Sequence, residues 1–205
     1  MSWHSSSLGS SVHLFWLCEK PNQKGRKGFT IEFEGHHARE MAVLQKAQTP
    51  FKFAHYGDEW IPTLKKYSKK PFKATVIAPS AVSLIYKNEI PGYSKEQFIK
   101  DLVNECAKDV KKCVTSGATE VGMDMTEATY ALKVDKTGKV LKDMVGLVNL
   151  VCDQLSPDEL NKVTLHTCFG ADNFTNHNYS NFKDVYPALL KSKIKNFHLF
   201  RHKIQ

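Results

Sequence analysis

The chain has 205 residues, 41% hydrophobic and 24% charged, with a formal net charge of +8. That apolar share excludes a disordered chain, and no stretch approaches the roughly 20 apolar residues of a membrane helix. The five cysteines are odd in number and too sparse for a disulfide scaffold, which points to reduced thiols and a cytoplasmic setting.

Residues 1–28 stand apart from the rest. Ser5, Ser6, Ser7, Ser10 and Ser11 surround Gly9, an apolar patch runs from Val12 to Cys18, and a polar, breaker-rich stretch follows. A secretory signal begins with basic residues ahead of an apolar core of at least about 7 residues. Here no Lys or Arg precedes the patch, and Glu19 and Lys20 follow it. Residues 1–28 are expected to form a disordered or foreign leader, and residues 29–205 the domain.

From residue 70 onward, strands and helices alternate. Lys73 to Ala78 is a β-branched run ended by Pro79, a buried strand. Ser94 opens a helix with Gln97 at capping-box spacing. Phe98, Leu102, Cys106, Val110 and Cys113 form its apolar stripe, and Gly117 sits where a C-terminal cap belongs. Thr119 to Met125 reads as the next strand. Leu141, Met144, Val145, Val148 and Cys152 mark a second helical stripe. Ser156-Pro157-Asp158-Glu159 then combines an N-cap, a proline at the first helical position and a glutamate at the third. A strand over 162–168, a helix through Phe182, Val185, Leu189 and Leu190, and a strand over 196–200 complete the series.

This alternation implies a parallel sheet with right-handed crossovers. The pattern suits an α/β fold of the (β/α)8 TIM-barrel type, incomplete because such a barrel takes roughly 250 residues. Functional residues of these sheets collect at the carboxyl ends of the strands. Three places qualify: Pro79-Ser80, Asp124 to Glu127, and His166 to Asp172.

His166-Thr167-Cys168 is the sharpest feature. Alternate strand residues share a face, so an imidazole and a thiol stand together at a strand end. Both are zinc ligands, and a zinc-bound thiol becomes a nucleophilic thiolate. A packed cysteine beside a hydrogen-bonded histidine fits the same spacing. Asp124 and Glu127 suit a substrate ammonium or a proton transfer, or else the capping of a helix N-terminus. Gly170-Ala171-Asp172-Asn173 and His177 form a polar loop that either lines a site or simply turns. Cys106, Cys113 and Cys152 lie on apolar stripes and belong to the core. Lysine runs at 65–70, 108–112 and 191–195 lack an arginine-rich helix or an aromatic RNA-binding signature, and read as solvated faces, not a nucleic-acid surface.

From about Phe51 to Phe200 the chain resembles the catalytic domain of cobalamin-independent methionine synthase, a family in the uroporphyrinogen decarboxylase superfamily. The resemblance rests on Ala74-Thr75-Val76-Ile77-Ala78-Pro79-Ser80, Ile90-Pro91-Gly92-Tyr93-Ser94, Val121-Gly122-Met123-Asp124 and Leu165-His166-Thr167-Cys168-Phe169-Gly170. It implies a TIM barrel that transfers a methyl group from 5-methyltetrahydrofolate, often polyglutamylated, to homocysteine. It also implies zinc as cofactor, with His166 and Cys168 as two of its ligands and Asp124 binding the homocysteine amino group. Ser80 and Asp172 join Asp124 as expected substrate contacts, and Glu127 joins it as an expected catalytic acid. The implied partners are these small molecules, without nucleic acid or membrane; the oligomeric state is not legible.

The chain departs from the family in four places, the first being that the domain's opening strand has no clear match among the first 50 residues. The glutamate ligand expected after the last strand is missing from Arg201-His202-Lys203-Ile204-Gln205, leaving His198 and His202 as nearest substitutes. The later cysteine ligand has no counterpart. The family's Asp-Glu-Pro is replaced by Asp124-Met125-Thr126-Glu127. A truncated barrel follows as the expectation, either a methyltransferase-like domain, a related enzyme acting on another thiol, or a non-catalytic binding remnant.

Overall fold

A computed structural model describes residues 18–19, 29–32, 38–41, 43–44, 50–87, 89–168 and 182–199. Two small antiparallel pairs come first. β1 (Cys18–Glu19), which falls within the expected leader, pairs with β4 (Val43–Leu44), and β2 (Phe29–Glu32) pairs with β3 (Ala38–Met41). The main sheet is parallel, in the order β5 (Lys73–Ile77), β6 (Glu120–Asp124), β7 (Val163–Thr167), β8 (Asn196–Leu199). Each of these strands ends within one residue of its sequence-based range.

Seven α-helices lie among the described residues: α1 (Ile61–Tyr67), α2 (Pro79–Ser83), α3 (Lys95–Thr115), α4 (Ala128–Val134), α5 (Lys139–Cys152), α6 (Pro157–Asn161) and α7 (Phe182–Leu189), and a 3-10 turn over Gly57–Trp60 leads into α1. None is long and apolar enough to cross a membrane. The caps follow the sequence closely. Ser156 accepts from the Glu159 N–H while the Glu159 carboxylate accepts from the Ser156 N–H, a reciprocal box at the start of α6. At α3 only half of that box forms: Ser94 accepts from the Gln97 N–H, but the Gln97 amide donates to Asp101 instead. Gly117, after α3, takes φ +95°, the left-handed conformation that ends a helix at low cost only for glycine.

Alternation along the strands separates two faces. Ala74, Val76, Val121, Met123, Val163 and Leu165 are buried in one core with Phe98, Leu102, Val110, Leu141 and Val148. The opposite face carries Lys73, Thr75, Glu120, Asp124, Thr164, His166, Asn196 and His198. Across it, the Lys73 ammonium of β5 reaches His198 Nδ1 of β8 at 2.6 Å. Three strand spacings in a flat sheet would separate those strands by about 14 Å. The sheet is therefore curled, polar side inward, in the manner of a barrel wall. Four parallel strands of an α/β barrel-type fold are thus present among the described residues, half the number that closes such a barrel.

A strap over residues 51–57 secures α3. The N–H groups of Phe51, Phe53 and Gly57 donate to Asp101 (3.2 Å), Glu105 (3.0 Å) and Asp109 (2.8 Å), three acids spaced by four along one helix stripe. The Tyr93 and Tyr56 hydroxyls add donors to Asp101 (2.7 Å) and Glu105 (2.5 Å). Gly57 is required by close approach: a Cβ there would lie 3.0 Å from Cys113 Sγ and 3.2 Å from the Thr75 carbonyl. Phe51, Tyr86, Tyr93 and Phe98 stack and edge against one another under this strap. Cys106, Cys113 and Cys152 are buried, as their stripes predict.

Candidate active site

The carboxyl ends of β5, β6 and β7 bring together Ser80, Asp124, Glu127 and His166, residues far apart in sequence. Strand register does the assembling. Ile77 pairs with Asp124, Asp124 with His166, and His166 with His198, so one row crosses the sheet. Asp124 and His166 consequently project from neighbouring strands on the same polar face.

His166 Nδ1 lies 3.1 Å from the His198 backbone carbonyl. A carbonyl only accepts, so the ring proton is assigned to Nδ1 and Nε2 is left as a lone pair. Nε2 stands 3.8 Å from Asp124 Oδ1, beyond hydrogen-bond reach. That oxygen is buried and has no hydrogen-bond partner among the described residues. Two acceptors thus face one space, and a proton donor or a cation between them would satisfy both. Burial holds the His166 pKa below the usual imidazole range, against the pull of the Asp124 charge and the carbonyl bond. Burial likewise raises Asp124, while His166 and Lys73 draw it down.

Glu127 occupies the N-cap position of α4 without its side chain capping the helix, which removes the structural explanation for this acid. Both its oxygens are buried and lack hydrogen-bond partners among the described residues. Burial pushes its pKa up to about 7; the Ser80 hydroxyl alongside pulls back, and the Asp124 charge adds to the rise. Ser80, in the first turn of α2, is fully buried and also lacks a hydrogen bond of good geometry. Cys168 is half-buried just beyond β7, where its carbonyl accepts from the Thr129 hydroxyl at 2.9 Å. Asp172, with the rest of residues 170–177, lies outside the described residues.

His166 has the arrangement common behind metal-bound histidines, one ring nitrogen held by a carbonyl and the other left as a lone pair. Cys168, two positions on, supplies a second ligand type. These two residues fit part of a zinc site; no group of three His, Cys, Asp or Glu side chains able to hold a metal is assembled among the described residues.

Sequence reasoning missed Lys73 and Gly122 on the polar face, and kept His198 only as a substitute ligand. The Lys73 ammonium contacts Glu120 at 3.0 Å as well as His198. It passes over Gly122, where a Cβ would meet Lys73 Cε at 2.4 Å. Strand parity was the available signal, since Lys73, Gly122 and His198 share the parity of Asp124 or His166 on their strands.

No protein-family model matches the chain, and no curated protein sequence matches it. Among solved structures it is similar to a B12-independent methionine synthase from Shewanella sp. W3-18-1, determined in complex with selenomethionine. The TM-score is 0.61 at 14% identity, over 86% of this chain and 51% of that one. It is also similar to a Listeria monocytogenes protein assigned as a vitamin-B12-independent methionine synthase, with TM-score 0.46, 19% identity, and 68% and 43% coverage. The first likeness shows the fold, and the chain spans about half the length of that protein.

Proposed function

We propose that the chain is a methyltransferase-like domain of the methionine synthase type, moving a methyl group from 5-methyltetrahydrofolate to the sulfur of homocysteine. The observation that carries the proposal is the facing pair of His166 Nε2 and Asp124 Oδ1, beside buried Glu127, at the carboxyl ends of adjacent parallel strands. The resemblance of the strand-end segments supports it, and so does the amino acid found in the Shewanella protein.

Each residue has a chemical task in this reading. Asp124 offers carboxylate charge to the substrate ammonium. Ser80 adds a hydroxyl, and Asp172 would add a further acid. His166 and Cys168 would hold a zinc ion, which when bound keeps the substrate sulfur as a nucleophilic thiolate near neutral pH. Methyl transfer to a thiol releases one proton, which the folate nitrogen must receive. Glu127, with a pKa of about 7, is able both to hold and to release a proton at neutral pH.

Purified protein should contain about one zinc per chain, with the content falling in His166→Ala and Cys168→Ser. It should also form methionine from homocysteine and methyltetrahydrofolate, and lose that activity in Cys168→Ser. Zinc near zero, unchanged by His166→Ala, would sink the metal part. The presence of two ligand types and no third among the described residues at the strand end favours a second reading, an amino-acid-binding domain without turnover. Binding of L-methionine with no methyl transfer would select it.

A further inference from the structure

We infer that His166 and His198 carry opposite tautomers, and that Lys73 is a positioning residue that leaves His166 as the one reactive imidazole of the pair. The two histidines are register partners on neighbouring strands. Their side chains project from the same face, one strand spacing of about 4.8 Å apart. Strand register does not separate them; their partners do.

His166 Nδ1 meets a backbone carbonyl, which accepts only, so the proton sits on Nδ1 and the lone pair on Nε2. His198 Nδ1 meets the Lys73 ammonium at 2.6 Å. An ammonium has three N–H donors and no acceptor, so His198 must present its lone pair at Nδ1 and carry its proton on Nε2. The only lone pair on His198 is therefore occupied. Two further features hold Lys73 to this task. Glu120 anchors its ammonium at 3.0 Å. Gly122 clears its path, because a Cβ there would lie 2.4 Å from Cε and 3.0 Å from Nζ.

Reactivity is thereby set against exposure. The His166 side chain keeps 30% of its surface accessible, whereas His198 is an exposed residue on an edge strand. The more accessible imidazole is the blocked one. His198 is removed as a substitute metal ligand or base, and Nε2 of His166, beside Asp124, is the lone pair left for chemistry. The inference rests on the proposed function only for the use made of that lone pair; the tautomers can be measured without it.

Diethyl pyrocarbonate, which acylates unprotonated imidazole nitrogen, applied to the full chain after a chelator has removed any bound metal and followed by peptide mass spectrometry, gives the test. His166 should be modified about tenfold faster than His198 despite its lower exposure, the protection expected from a charge-assisted hydrogen bond. In Lys73→Ala the His198 rate should rise about tenfold, with the His166 rate nearly unchanged. Gly122→Ala, which displaces Lys73 but keeps its charge, should act in the same direction, and should have no effect in the Lys73→Ala background. Long-range nitrogen–proton spectra of the wild type should show Nδ1–H on His166 and Nε2–H on His198; these stand as evidence even where a variant fails to fold. Equal rates in the wild type, Nδ1–H on His198, or a His198 rate unmoved by Lys73→Ala would each overturn the inference. If the tautomers are as stated but neither zinc nor methionine formation is found, the proposed function falls and this inference stands.

Discussion

Two groups of buried carboxylates divide the molecule. Asp101, Glu105 and Asp109 line one stripe of α3, and each accepts a backbone N–H from the strap over residues 51–57. At the strand ends stand half-buried Asp124 and buried Glu127, and Asp124 Oδ1 and both Glu127 oxygens are buried with no hydrogen-bond partner among the described residues. Acidity does not separate the groups, since Asp109 and Glu127 are both pushed up to about 7. The causes differ. Burial dominates in both, but at Asp109 the Gly57 N–H of a distant strap pulls the pKa down while Asp58 raises it, whereas at Glu127 the downward pull comes from the Ser80 hydroxyl and its own N–H, and the Asp124 charge raises it. Partnership, more than a shifted pKa, distinguishes an acid that holds the fold from one left open to a ligand.

The largest expected effect falls on the partnered side. Asp101→Ala removes the acceptor for the Phe51 N–H, the Tyr93 hydroxyl and the Gln97 amide at once. Leaving buried donors unsatisfied should cost about 3 kcal/mol or more in urea denaturation. A loss below about 1 kcal/mol would mean that the acid stripe does not hold the strap.

Glu127 should respond with the opposite sign. Its folded pKa of about 7 exceeds the ordinary value of 4.5, so the folded chain binds more protons than the unfolded chain between those limits. Its contribution is complete below pH 4.5 and is lost as pH rises through 7, by up to about 3 kcal/mol. Glu127→Gln should therefore match the wild type near pH 4 and exceed its stability by about 2–3 kcal/mol near pH 8. A residual decline in this variant belongs to Asp109 and Asp124, whose raised pKa values act in the same direction. Urea midpoints across that pH range decide the point, and a variant no more stable than wild type at pH 8 would show that Glu127 has partners after all.

Much of the scaffold was legible because it is local. The strand at 73–77 declared itself as a β-branched run ended by Pro79, the other three strands by their places between caps and apolar helical stripes, and α3, α5 and α7 by that apolar spacing. The acid stripe was not legible, because acids at four-residue spacing on a helix ordinarily face water. Only the donors of a distant strap make their burial tolerable. The site was half legible. Residue type drew attention to Asp124, Glu127, His166 and Cys168, but the meeting of Asp124 with His166 depends on the register of β6 against β7, which no short motif encodes. Lys73 was hidden for the same reason: its partner stands on the far edge strand, reached only because the sheet curls.

The smallest effect is the sharpest test of the comparison. Ser80 is as buried as any core residue, yet its hydroxyl bonds nothing among the described residues. Were it a structural group like Tyr93, whose hydroxyl donates to Asp101, its removal would cost about 1 kcal/mol. Deleting an unsatisfied hydroxyl removes a desolvation cost instead, so Ser80→Ala should change stability by less than about 0.5 kcal/mol, in either direction. The same variant should weaken the binding of L-methionine measured by calorimetry, since the hydroxyl stands beside Glu127 at the mouth of the sheet. A clear loss of stability with unchanged binding would move Ser80 into the group that holds the fold, and would leave the strand-end acids without their neighbour as a ligand contact.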